Sequence, residues 1–106
     1  MTTFDKREEA FEKRFALDEA EKFKAIARRN KLFGLWVAEK LGKNGDEAAG
    51  YAKELVAAAI DGGEAAVVRK ITDDLAAKSI SVDEAALRAK FDELGAVAAA
   101  QVKAGQ

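Results

Sequence analysis

No proline interrupts the 106 residues, and alanine fills long runs of them, as in AAGYAKELVAAAI and ELGAVAAAQVKA. Alanine costs least of any residue to place in a helix, whereas proline removes an amide donor and breaks one. The β-branched residues do not gather into strand-like runs. The whole chain therefore reads as helical. Its length allows one domain with one modest core.

The punctuation of these helices is legible. Thr2 or Thr3 is placed to cap a first helix, and Asp18 followed by Glu21 forms a capping pair that opens a second unit. That unit runs to about Leu41 and stops in Gly42-Lys43-Asn44-Gly45, where two glycines tolerate positive φ. Asp46 is expected to cap a helix to about Ile60, broken by Asp61-Gly62-Gly63. A further stretch runs from Glu64 to about Lys78, and Ser81 with Glu84 is expected to open the last helix, to about Lys103. Tyr51, Leu55, Val56, Ala59 and Ile60 define one buried face. Val67, Val68, Ile71 and Leu75 define the next, and Leu87, Phe91, Leu94 and Ala98 the last. Short loops make neighbouring helices antiparallel, so the expected architecture is all-α, a four-helix bundle with a long first helix.

Drawn straight from Phe4 to Leu41, that first helix carries Phe4, Phe11, Phe15, Ile26, Phe33, Trp36 and Val37 on one side. Phe4, Phe11 and Phe15 fall within roughly 40° of one another at about 100° per residue. The stripe is interrupted where Asp18, Glu19 and Lys22 share its side, at the same place as the cap. The sequence thus divides into an amino-terminal arm, roughly 1–17, and a bundle segment beginning near 18. Burying each ring on a partner contributes roughly 1.5–3 kcal/mol, against about 1–2 kcal/mol per residue for ordering the backbone. Three rings cannot order some fifteen residues alone, so some helix must be nascent beforehand. Pairs such as Glu9–Lys13, Arg14–Asp18 and Asp18–Lys22 favour it. From the residues, two readings stay open: a partner-binding arm of the helix-in-groove type, or an ordinary first turn of the bundle.

Composition narrows the chemistry. Eighteen basic side chains face nineteen acidic ones, a net charge of -1, which argues against electrostatic binding of nucleic acid. Cysteine and histidine are both absent, so thiolate and imidazole nucleophiles, bases and metal ligands are missing. The carboxylate pairs Glu8/Glu9, Asp18/Glu19, Asp46/Glu47, Asp73/Asp74 and Asp83/Glu84 fit dipole compensation and solubility better than catalysis. Gly62-Gly63 lacks the pattern of a phosphate loop and reads as a turn. Arg28, Arg29 and Lys31 read as a solvated face, and Trp36 and Tyr51 as core aromatics. No catalytic residue, cofactor or metal ligand is assigned, so a binding role is expected and not an enzyme. The polar start and the lack of an apolar run near ~20 residues predict a cytoplasmic protein without membrane insertion.

The run TTFDKREEAFEKRFALDEAEKFKAIARRNKLFGLW closely resembles the amino-terminal half of the zeta-type inhibitor subunit of alphaproteobacterial F-type ATP synthases. The likeness extends through LGKNGDEAAGYAKELVAAAIDGGEAAVVRKITDDL to the last helix. The resemblance implies a helical bundle, 20–106, presenting an inhibitory arm, 1–19. In such inhibitors the arm wedges between the catalytic α/β interface and the central rotor and blocks ATP hydrolysis. Carried onto this chain, Phe4, Phe11 and Phe15 would supply the apolar grip. Arg7, Glu8 and Arg14 would pair with charges on the head and rotor. The implied partner is the catalytic head with its α, β and central rotor subunits, which the chain, a monomer when free, joins peripherally at the inner membrane. The competing reading is a small helical binding module with a different partner.

Overall fold

The computed structural model describes residues 15–81 and 83–106. The expected cap at Thr2 or Thr3, and Phe4, Arg7, Glu8, Phe11 and Arg14, lie outside the described residues.

Three helices and no strand are found among the described residues: α1 (Glu19–Lys40), α2 (Gly45–Ala77) and α3 (Glu84–Lys103). The central element is α1, against which both α2 and α3 pack. Its start is the expected one. The Glu21 amide donates to Asp18 Oδ1 at 2.8 Å, and the Asp18 amide donates to Glu21 Oε1 at 3.1 Å, a reciprocal capping box. It ends at Gly42, whose φ of 80° lets the Gly42 and Lys43 amides turn back to the carbonyls of Glu39 and Ala38.

Three continuous helical elements, and not the expected four, are counted among the described residues. The second and third expected helices form one element, α2, broken at the single residue Gly63 (φ 70°, ψ -164°). That backbone region is essentially restricted to glycine, so the chain turns there without a loop. The two limbs face each other. The Tyr51 hydroxyl donates to Asp74 Oδ2 at 2.7 Å, and Lys70 Nζ lies 3.8 Å from Glu54 and 3.1 Å from Asp74. Pairing 51 with 74 and 54 with 70 makes the limbs antiparallel about Gly63.

Two caps differ from expectation. Asn44 and not Asp46 occupies the N-cap of α2, leaving Asp46 and Glu47 in its first turn, where they complement the dipole. Asp83 and not Ser81 caps α3, its Oδ1 accepting from the amides of Ala85 at 3.0 Å and Ala86 at 3.3 Å. A carboxylate accepts from amides more strongly than a hydroxyl does, and Asp83 stands nearer the helix.

The main core gathers Phe33, Val37, Ala38 and Leu41 of α1, Tyr51, Leu55, Val67, Ile71 and Leu75 of α2, and Phe91 of α3. Phe33 and Phe91 meet edge to face at 5.3 Å. Gly34 allows α1 and α2 to touch, since a Cβ there would lie 2.7 Å from Ala52 Cα. Two expected core residues point outward: Ile60 is 79% exposed and Val68 39%. Ile60 follows Leu55 by five residues, about 140° around the helix, and so leaves the buried face.

Candidate functional site at the root of the amino-terminal segment

Ala and Leu are the strongest helix formers, yet the chain bends at Ala16-Leu17 just before the capped start of α1. Ala16 has φ 51°, a left-handed conformation that costs a residue with a Cβ about 1–2 kcal/mol. Three contacts oppose that cost. Leu17 is buried in a second cluster with Ala25, Ala99 and Val102, against which Phe15 packs partly buried. Such burial contributes about 1.5–3 kcal/mol. The Asp18–Glu21 box contributes about 1 kcal/mol. From the last turn of α3, Lys103 Nζ donates to the Ala16 carbonyl at 3.2 Å and lies 3.5 Å from Glu21 Oε1. The root of the segment is therefore bound to both ends of the chain's helical body, through α1 and through α3.

Of the six residues expected to bind a partner, Phe15 alone falls among the described residues, and it sits at this root. Leu17 and Lys103 were not anticipated. Leu17 carried a local signal, an apolar residue directly before a cap. Lys103 carried none, because its contact spans 87 residues.

The basic cluster splits three ways. Lys31 is exposed, Arg28 Nη1 lies 3.5 Å from Gln101 Oε1, and Arg29 is buried at 6% exposure. The expectation of a solvated face fails for Arg29. Its guanidinium carbon sits 4.1 Å from the centroid of Phe91, and its Nη2 lies 3.3 Å from Glu64 Oε1. Successive residues on a helix point about 100° apart, so neighbours in sequence meet different surroundings. A buried cation requires such partners, and Arg29 ties α1 to the second limb of α2 and to α3.

Beside that pair lies a partly open cavity of about 90 Å³, lined by Phe33, Val67, Ile71, Phe91, Glu64 and Arg88 among others. It is small against the ~300–1,000 Å³ of ordinary ligand sites. Trp36 stacks on Phe33 at 5.7 Å, and Tyr51 belongs to the core. Burial, then the hydrogen bond to Asp74, pushes the Tyr51 phenol far above its usual range. Among the described residues no group of acidic side chains could hold a metal ion. The described carboxylates Asp18, Asp74 and Asp83 serve caps and the Tyr51 contact. No described helix is long and apolar enough to cross a membrane.

Comparison with known families decides the broad identity. The family model for the ATPase inhibitor subunit zeta matches residues 1–101. The chain belongs to that family. Neither curated proteins nor solved structures give a match. Membership supports the resemblance read from the first thirty residues and indicates an inhibitor subunit, with an ATP synthase as its partner.

Proposed function

We propose that this chain inhibits ATP hydrolysis by inserting its amino-terminal segment, about Met1–Glu19, between the α/β catalytic interface and the central rotor of the F-type ATP synthase. The observation that carries the reading is the capped break at Asp18, which starts α1 anew and separates the preceding residues from it. In this mechanism Phe4 and Phe11 grip an apolar groove, and Arg7, Glu8 and Arg14 pair with charges of the head and rotor. Phe15, packed at the root, lies where segment and bundle meet. A helix lodged at a rotary interface resists the turning that hydrolysis requires, so inhibition is steric and electrostatic and no bond is made or broken. Control through imidazole protonation is not open to a chain without histidine. The free chain acts as a monomer on the cytoplasmic side and joins the enzyme peripherally.

The test is a titration of ATP hydrolysis by the cognate ATPase with the full chain and with its Phe4→Ala/Phe11→Ala variant. Each lost ring should raise the half-inhibitory concentration about tenfold or more. No inhibition by the unaltered chain sinks the reading. Equal inhibition by both chains keeps the partner and refutes the arm.

A further inference from the structure

The left-handed turn at Ala16 rests on no glycine or proline. Neither glycine nor proline stands at 15–18, where the chain reads Phe-Ala-Leu-Asp, and a straight continuation of α1 through Ala16 and Leu17 would satisfy helix propensity. What opposes straightening is the capping box, the burial of Leu17 and the Lys103 ammonium on the Ala16 carbonyl. The first is built into α1 itself. Leu17 packs on α3 as well as on Ala25 of α1, and Lys103 reaches from α3 to the backbone at the bend. Its side chain is 48% exposed, so it can be altered without opening the core.

The bend matters because of phase. In a straight helix Phe4, Phe11 and Phe15 would continue the side that carries Ile26, Phe33 and Val37, and Phe33 and Val37 are core residues. A left-handed residue at 16 breaks that straight path at the junction.

We propose that Lys103 is a positioning residue for inhibition: by bridging the Ala16 carbonyl and Glu21, it helps hold the left-handed turn at Ala16, the junction between α1 and the segment read above as inhibitory. This rests on the functional reading above for its consequence, though the bend itself can be read independently. Lys103 touches no partner in this scheme. It acts through Ala16, and the carboxyl-terminal helix thereby shapes the presentation of the opposite end of the chain.

The experiment uses the full chain, wild type, Lys103→Gln and Lys103→Arg. Carbon-13 chemical shifts of Ala16 and Leu17 report the backbone, thermal unfolding reports the fold, and titration of ATP hydrolysis reports inhibition. In Lys103→Gln the two shifts should move toward helical values, with the melting temperature held within a few degrees. Half-inhibitory concentration should rise about two- to fivefold, the range of an exposed ion pair. Lys103→Arg should keep the wild-type shifts and inhibition. Unmoved shifts in Lys103→Gln overturn the proposal, and so does a moved junction with unchanged inhibition. If even the wild-type chain fails to inhibit, the functional reading falls, and the shifts still decide whether Lys103 sets the bend.

Discussion

The two apolar clusters differ in the size of the side chains that fill them. The main core packs Phe33, Val37, Leu55, Ile71, Leu75 and Phe91 from all three helices, with Val37 and Leu55 wholly excluded from water. Among the described residues the junction cluster packs Leu17, Ala25, Ala99 and Val102, with Phe15 partly buried against them. Large interlocking side chains make the first region hard to open. The smaller side chains described in the second make it separable at modest cost. The junction of the segment proposed to bind can therefore open locally without disturbing the main core.

The contrast breaks first under truncation of leucines. Leu55→Ala should destabilise the protein by about 3–5 kcal/mol in denaturant unfolding, whereas Leu17→Ala should cost about 1–2 kcal/mol and mainly speed amide exchange at 15–21. Equal global losses would mean that the two clusters form one core. Next in size is Gly34→Ala, where the new methyl meets the backbone of Ala52 and should cost about 1–3 kcal/mol. Exchange at the junction should stay unchanged in that variant.

Alkaline pH sharpens the comparison further. The folded chain holds the Tyr51 phenol protonated above its ordinary pKa of 10.0, because burial and Asp74 disfavour the phenolate. The resulting stability is complete below pH 10 and is lost as pH rises above it, since the unfolded chain releases the proton there and the folded chain does not. The slope is about 1.4 kcal/mol per pH unit. Tyr51→Phe should lose this share of the slope in unfolding measured from pH 9 to 11. Smallest is Asp18→Ala, which should cost about 1 kcal/mol and act at the root of the segment. A circular-dichroism melt gives the cost, and amide exchange at 19–22 shows where it falls.

Much of this was legible along the chain because it depends on near neighbours. The Asp18–Glu21 box was readable from its spacing, and both of its bonds are present. Helical period located Phe33, Val37, Tyr51, Leu55, Val67, Ile71, Leu75, Phe91 and Ala98 on buried faces. The errors arose where alternatives of similar local energy compete. Ser81 and Asp83 both suit a cap, as do Asn44 and Asp46. Gly62-Gly63 suits a loop as well as a one-residue break. Ile60 shows the limit of composition, because an apolar side chain follows its angle on the helix and not its hydrophobicity. The partner-binding residues were named from resemblance and phase, and five of the six lie outside the described residues.

Propensity, spacing and the absence of proline determined by themselves that this chain is helical and that a helix starts at Asp18. They act within one or two turns, where the sequence places the interacting groups side by side. Tertiary structure alone decided that Arg29 is buried over Phe91 and that Lys103 reaches Ala16. It also decided that two limbs close on each other about Gly63. Those choices depend on which surfaces meet after the chain has turned back on itself. The family match supplied the partner, and the left-handed turn at Ala16 marks the junction of the segment proposed to meet it.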